Sequence, residues 1–107
     1  MMKNVRTLDI PIAEDTRLVI KVDKVEKTDK QYPDKLMFAI QYLYFKDGKW
    51  IQIARIDNSD HEGRREPHIH RLGRIDVEFR NITPEEAQEK VIEIGDRIKK
   101  DFILGGN

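Results

Sequence analysis

The stretch LMFAIQYLYFKDGKWIQIARI, from Leu36 to Ile56, decides the fold of this chain. Two runs rich in β-branched and aromatic residues flank Asp47-Gly48, and such a dipeptide is the strongest short-range signal for a β-hairpin. The first run has apolar side chains at every second position from Leu36 to Tyr44, and its other positions are partly apolar too. We therefore expect a long central strand, a tight turn and a partner strand that begins at Trp50.

Further strands are predicted on both sides of this hairpin. Apolar and polar residues alternate from Arg17 to Val25, which is the period of a half-buried strand, and a polar loop follows at residues 26–34. Another strand is predicted from about His68 to Arg80, with a bend at Gly73. Its apolar face would comprise Ile75, Val77 and Phe79. The first dozen residues either add a short strand or stay loose.

A C-terminal helix is predicted from Thr83 onward. In the run Thr83-Pro84-Glu85-Glu86, threonine can cap the helix, proline suits its first position and Glu86 can complete a capping box. Apolar residues then recur three or four apart, at Ala87, Val91, Ile94, Ile98 and Phe102 or Ile103. Gly105-Gly106 would end the helix. Since no helical pattern separates the strands, we expect one α+β domain over residues 1–107, an antiparallel meander of about four strands packed against this helix.

Composition limits the possible functions. At 107 residues the chain has the size of one domain. Charged residues make up 37% of it, against about 25% in an ordinary domain, and this bias is typical of thermophilic proteins. Lys and Arg total 20, as do Asp and Glu, so the net charge gives no attraction for nucleic acid, and any such binding needs a local patch.

The chain contains no cysteine, which excludes disulfides, thiolate catalysis and cysteine-ligated zinc. Residues 1–12 carry charges and no apolar run long enough for a signal peptide or a membrane span. We therefore expect a cytoplasmic protein with no membrane partner.

The segment from Arg55 to Arg74 concentrates the unusual chemistry and contains all three histidines. Residues two apart on a strand share a face at about 6 to 7 Å, so His68 and His70 can aim both imidazoles at one phosphate, metal ion or substrate group. Pro67 suits the first residue of an edge strand. The sequence thus predicts that both histidines are accessible.

Pairing of the third and fourth strands would bring four polar side chains together beneath the loop at residues 58–66. They are Arg55, Asp57, His68 and His70. If the third strand is regular, Arg55 and Asp57 lie on the same face as Ile51 and Ile53. A bulge near Ala54 is equally compatible with the pattern, because the apolar phase shifts to Ile56.

One interpretation of this cluster is phosphodiester chemistry. A histidine that titrates near neutral pH serves as general acid or base, and an arginine stabilises the anionic transition state. His70 is the first choice for the acid or base. The predicted catalytic residues are His70, His68, Arg55 and Asp57. The predicted substrate-binding residues are Arg71, Asn58, Arg64 and Arg65.

Two other interpretations stay open. His68 and His70 could bind a metal ion such as zinc, with His61 or a nearby carboxylate as the third ligand, although the first choice requires no cofactor. Alternatively, the segment carries only solvated ion pairs. The pairs would be Glu62 with Arg64 and Glu66 with Arg65.

The order of motifs resembles that of TumE-type toxins of toxin–antitoxin modules. It runs Tyr-Leu-Tyr-Phe-x-Asp-Gly-x-Trp at residues 42–50, Arg55-x-Asp57-Asn58, a loop with His61, and Pro67-His68-Ile69-His70-Arg71. The resemblance covers about residues 36–102. It implies a toxin that acts on RNA or translation, possible ribonuclease activity, and a small DNA-binding antitoxin as partner. The loop at residues 59–66 is longer than in that pattern, and the surplus of Lys and Arg common in RNA-cleaving toxins is missing. The alternative is a non-catalytic domain that binds an anionic ligand, a metal or a partner protein.

Overall fold

The fold is an antiparallel sheet with one helix laid across one of its faces. A computed structural model describes residues 3–24, 36–59, 63–64 and 66–104, and the predicted loop at residues 26–34 lies outside these ranges. The elements are β1 (Lys3–Ala13), β2 (Thr16–Lys24), β3 (Leu36–Lys46), β4 (Lys49–Asp57), β5 (His68–Arg71), β6 (Glu78–Phe79) and α1 (Pro84–Leu104). The strands follow one another in chain order across the sheet, and all neighbours are antiparallel. The predicted α+β meander is confirmed, but the described chain forms six strands and not about four.

The two additional strands lie at the edges of the sheet. At one edge, β1 pairs with β2 over its whole length, from Lys3 opposite Lys24 to Ala13 opposite Thr16. At the other edge, the prediction of a single strand from His68 to Arg80 is wrong. The chain leaves β5 after Arg71, turns through Gly73 with a φ of 80°, and returns as β6 beside β5.

The predicted apolar face of that fourth strand is also wrong, because Ile75 is 100% exposed. Gly73 has a positive φ, which favours glycine and reverses the chain here. The residues between β5 and β6 therefore form a turn over the edge of the sheet, and only Glu78 and Phe79 regain strand pairing.

The central hairpin forms as predicted. Asp47 and Gly48 have φ values of 53° and 79°, and positive φ at both central residues is the signature of a type I′ turn. This turn matches the right-handed twist of its strands, so it fixes the register of β3 against β4 from Lys46 opposite Lys49 onward.

A β-bulge in β4 decides which face carries the polar residues. Tyr42 lies opposite Ala54 while Leu43 lies opposite Gln52, so Ile53 is an extra residue in β4. Ile53 and Ala54 are both buried. Beyond the bulge, Ile56 lies on the helix side and its two neighbours turn to the other face, so the bulge that the sequence left as an alternative is present.

Helix α1 covers one face of the sheet and packs across β3 and β4. The predicted capping box is confirmed: the Thr83 backbone N–H donates to Glu86 Oε1 at 2.9 Å, and the Glu86 N–H donates to Thr83 Oγ1 at 3.1 Å. The predicted apolar stripe faces the sheet, with Ala87, Val91 and Ile94 buried and Ile98 packed against the core. The predicted end at Gly105-Gly106 lies outside the described residues. No helix in the described ranges is long and apolar enough to cross a membrane.

Gly95 lets the helix approach the sheet closely. A methyl group at this position would overlap the ring of Tyr42, which is fully buried beneath α1. The Tyr42 hydroxyl donates a hydrogen bond to Asp96 Oδ1 at 2.6 Å. Burial, together with the neighbouring Asp96 carboxylate, raises the pKa of Tyr42 well above its ordinary value. Tyr42 therefore joins the helix to the sheet and stays protonated.

Candidate functional site

The candidate site lies on the face of the sheet that α1 does not cover. The bulge in β4 sends Arg55 and Asp57 to this face, and the register of β4 with β5 sets Arg55 opposite His70 and Asp57 opposite His68. The predicted cluster of four polar residues across two neighbouring strands is therefore confirmed.

Asp57 is the centre of the cluster. Its Oδ2 lies 2.6 Å from Arg55 Nε and 3.3 Å from His70 Nε2, and its Oδ1 lies 3.2 Å from His68 Nε2. The Asp57 side chain is 1% exposed. A buried carboxylate is costly unless positive charges and hydrogen bonds compensate for lost water, and three basic side chains surround this one.

Ser59 orients the Asp57 carboxylate. Its backbone N–H and its hydroxyl both donate to Asp57 Oδ1, at 3.0 and 2.6 Å. This is the local bond that an aspartate makes to the residue two positions on when a strand ends in a turn. Ser59 is not among the residues predicted from the sequence, although its Asp-x-Ser spacing from Asp57 is a signal for this turn.

Asn58 is bound to the backbone of β3. Its side-chain Oδ1 accepts a hydrogen bond from the Phe38 N–H at 2.8 Å, and its Nδ2 donates to the Leu36 carbonyl at 3.0 Å. The residue is buried. Asn58, a predicted substrate-binding residue, therefore supports the site structurally, because its side-chain amide binds the backbone at the beginning of β3.

His68 is enclosed, so the prediction that both histidines are accessible is wrong for this one. Its side chain is 1% exposed, because β6 sets Phe79 opposite it and the two ring centroids lie 5.4 Å apart. Its Nδ1 lies 2.9 Å from the Glu66 carbonyl oxygen. A carbonyl only accepts, so Nδ1 carries the proton and Nε2 is the nitrogen turned to Asp57.

His70 and Arg55 form the accessible part of the cluster. The His70 side chain is 32% exposed and that of Arg55 is 35% exposed. The two residues are direct partners across β4 and β5, with the buried Asp57 carboxylate behind both. An imidazole and a guanidinium side by side can move a proton and stabilise a negative charge on the same substrate group.

The same residues offer ligands for a metal ion. One ligand atom each from Asp57, His68 and His70 lies within 4.8 Å of the others. Two nitrogens and a carboxylate oxygen suit zinc and other transition metals, and a carbonyl that holds the far nitrogen of a histidine, as Glu66 does for His68, is a common support for such ligands. His61, the predicted third ligand, lies outside the described residues.

Two of the predicted arginines lie apart from this cluster. Arg71 follows His70, so strand alternation turns it to the helix side of the sheet, where it pairs with Glu78 at 2.9 Å. Arg64 pairs with Glu66 at 2.8 Å on the surface and lowers the pKa of that carboxyl. Its guanidinium lies over the ring of Phe79, 3.5 Å from the centroid. Arg65 and Glu62 lie outside the described residues. Arg64, predicted to pair with Glu62, forms its ion pair with Glu66 in the structure.

Comparison with models of known protein families, with curated proteins and with solved structures finds no match to this chain. The likeness to TumE-type toxins therefore stays an expectation.

Proposed function

We propose that this protein acts on RNA by general acid–base chemistry at the Asp57 cluster, and that it serves as the toxin of a toxin–antitoxin module. One observation carries the proposal: the half-exposed imidazole of His70 lies 3.3 Å from the buried carboxylate of Asp57 and directly opposite Arg55. A histidine backed by a carboxylate and flanked by an arginine meets the needs of phosphodiester cleavage without a metal.

Each residue has a distinct role in this reaction. The Asp57 carboxylate attracts a proton to His70 Nε2, which leaves Nδ1 to take the proton of an RNA 2′-hydroxyl. The 2′-oxygen forms a bond to phosphorus, the bond from phosphorus to the 5′-oxygen breaks, and a proton is returned to the leaving oxygen. The products are a 2′,3′-cyclic phosphate and a free 5′-hydroxyl. Arg55 stabilises the charge on the phosphate oxygens.

His68 and Ser59 act as positioning residues. His68 is buried and touches Asp57 on Oδ1, the same oxygen that accepts both hydrogen bonds from Ser59. Together they hold the carboxylate so that Oδ2 faces His70 and Arg55. A substrate on the open face would meet His70 and Arg55 and not His68.

The proposal of a toxin is supported by where the motif residues lie. Of the residues on which the resemblance rests, Arg55, Asp57 and His70 meet at the site and Asn58 and His68 support it, whereas Arg71 turns to the helix side. A toxin of this kind would inhibit growth on expression and would be neutralised by a small DNA-binding antitoxin. A neighbouring reading frame that encodes such a protein would support this role.

The chemistry is tested with purified protein, a single-stranded RNA and a matched RNA with one 2′-deoxynucleotide, all in EDTA. We expect cleavage of the RNA to a cyclic phosphate end, with no cleavage at the deoxy position because the nucleophile is missing there. Cleavage at the deoxy position, or products with a 5′-phosphate, would contradict the proposed reaction.

A second candidate function is metal binding, and a specific observation favours it. Asp57 Oδ2 is buried and accepts no well-aligned hydrogen bond, despite the nearby Arg55 and His70 nitrogens. A cation held by Asp57, His68 and His70 would compensate for the missing hydrogen bond to that oxygen.

Thermal denaturation with added metal separates the two candidates. A ligand that binds only the folded state raises the melting temperature, by an amount equivalent to about 2.7 kcal/mol at 100 times its Kd. Under the first candidate we expect little or no shift with Zn²⁺ or Ni²⁺. A large shift that His68→Ala abolishes, together with RNA cleavage that stops in EDTA, would favour the metal site.

A further inference from the structure

On the helix side of the sheet, the turn between β5 and β6 and the middle of α1 form a groove of about 420 Å³. Its lining is charged and aliphatic, with no aromatic ring among the described residues that form it. The basic residues of this groove are Arg71, Arg74, Arg80, Lys90 and Arg97. Two acidic residues, Glu93 and Asp101, also line it.

Two carboxylates, Glu78 beside the groove and Glu93 in its lining, are each shared between two of the groove's cations. Glu78 holds Arg71 at 2.9 Å and Arg80 at 2.5 Å, and these two guanidinium groups, Arg80 foremost, lower its pKa. Glu93 lies between Lys90 at 3.7 Å and Arg97 at 3.9 Å. Even with Asp101 counted, five cations face three carboxylates, so the groove keeps an excess of positive charge in a chain whose formal net charge is zero.

The groove lies next to the proposed active site across the edge of the sheet. Arg71 lines the groove, and the preceding residue, His70, belongs to the open face. In the described chain, β6 pairs with His68 and Ile69 but not with His70 or Arg71, so the strand that covers this edge ends before it reaches them. A polymer that crosses the edge at this point would meet His70 on one face and Arg71 on the other.

We propose that this groove binds the sugar–phosphate backbone of RNA on one side of the bond that His70 attacks. The inference rests on the proposed function for its substrate class. Guanidinium groups match phosphate oxygens in geometry and charge, and four of the five cations are arginines. A lining of this kind binds backbone and does not distinguish bases, so the binding is independent of sequence and sensitive to salt.

The test measures binding by fluorescence anisotropy, with a labelled single-stranded RNA of about 15 nucleotides. The RNA is 2′-O-methylated, so that it binds but cannot be cleaved through its 2′-hydroxyls. The groove variant carries Arg74→Glu and Arg97→Glu, both exposed positions. The control variant carries Lys49→Glu and Lys100→Glu, which make the same charge change at exposed positions outside the groove.

We expect the groove variant to lose about tenfold or more in affinity, with a smaller slope of log affinity against log salt, since each phosphate contact contributes about 0.7 to that slope. The control variant should bind within about twofold of the parent. If charge reversal impairs folding, the pair Arg74→Gln and Arg97→Gln replaces it, with a smaller loss of affinity expected. Equal losses in groove and control variants would overturn the inference, and so would a parent that binds no RNA.

Two further arms separate the sources of failure. A poly-glutamate peptide that competes as well as unlabelled RNA would assign the groove to a protein partner and overturn the inference. Cleavage of a dinucleotide by the parent tests the proposed function alone, because so short a substrate needs only the His70 site. If the dinucleotide stays intact but the anisotropy result is as expected, the proposed chemistry fails and the backbone groove stands.

Discussion

The two faces of the sheet use neighbouring residues in opposite ways. On the helix-covered face, Ile40, Ile56 and Ile69 lie in one row across β3, β4 and β5. One residue further along β4, Asp57 lies on the open face opposite His68, and both are as fully buried as the isoleucines. Burial alone therefore does not distinguish the core from the site.

The difference lies in what burial costs. An apolar side chain is stabilised by leaving water, whereas a buried ion pair often contributes less than apolar residues of similar size would. A sheet selected only for stability would gain nothing from an aspartate among two histidines and an arginine. The helix-covered face accounts for the stability of the domain, and the charges on the open face call for a functional explanation.

The largest expected loss of stability comes from truncating a leucine on the helix-covered face, and a leucine on the open face serves as the comparison. Leu18, on β2, is buried in the core on the helix side of the sheet, and Leu43, on β3, is half-buried on the open face. We expect Leu18→Ala to lower the free energy of unfolding by about 2 to 5 kcal/mol, and Leu43→Ala to cost less than half as much. Urea denaturation measures both. Equal losses would show that the open face is a second core.

A smaller loss is expected for Gly95→Ala. In an exposed helix this change would stabilise by about 1 kcal/mol, but here the methyl group would overlap the buried Tyr42 ring. Overpacking typically costs about 1 to 3 kcal/mol, so the variant should be destabilised overall. The matched change Glu89→Ala, on the exposed side of α1, should be nearly neutral. A stabilised Gly95→Ala variant would mean that α1 does not lie this close to the sheet.

The two histidines should differ in their effect on stability. His68→Ala removes a buried ring that contacts Phe79 and leaves the Glu66 carbonyl without that partner, so we expect a loss of about 1 to 3 kcal/mol. His70→Ala removes a ring that is one-third exposed and should cost about 0.5 kcal/mol or less. Thermal denaturation distinguishes them. The reverse order would contradict the assignment of His68 to support and His70 to the accessible site.

The smallest effect concerns pH. Lys99 Nζ donates to Asp15 Oδ1 at 2.8 Å, and this bond, with that from the Thr16 hydroxyl, lowers the pKa of Asp15. A carboxyl with a lowered pKa in the folded state stabilises the fold above its ordinary pKa and loses that contribution as the pH falls through the folded value. Because the pair is partly exposed, Lys99→Met should cost about 1 kcal/mol or less at pH 7. The difference between parent and variant should shrink as the pH falls below 3.8, the ordinary pKa of this carboxyl; a constant difference would show that Lys99 acts through packing alone.

The features that sequence predicted are those with local signals. The hairpin follows from Asp47-Gly48, and the start of α1 follows from Thr83 and Glu86, because each is fixed by residues within a few positions of one another. The pairing of Arg55 with His70 was predictable because consecutive strands joined by a loop usually lie side by side.

The features that sequence missed depend on distant contacts. Pro11 weakens the strand pattern of β1, yet a proline is tolerated at the edge of a sheet. The burial of His68 depends on the return of β6, a two-residue strand that no local periodicity indicates. Gly95 has a low helix propensity in the middle of a helical pattern, and only the close approach of Tyr42 explains why glycine is present there.

The most direct test of the central claim is RNA cleavage by His70→Ala, measured at equal folded fraction with the parent. General acid–base catalysis by a histidine contributes about 100-fold or more to the rate, while loss of this half-exposed ring should shift the melting temperature by about 4 °C or less. We therefore predict a folded variant whose cleavage falls by about two orders of magnitude and which no longer inhibits growth. A folded variant that cleaves RNA as fast as the parent would contradict the claim that the open face carries the chemistry.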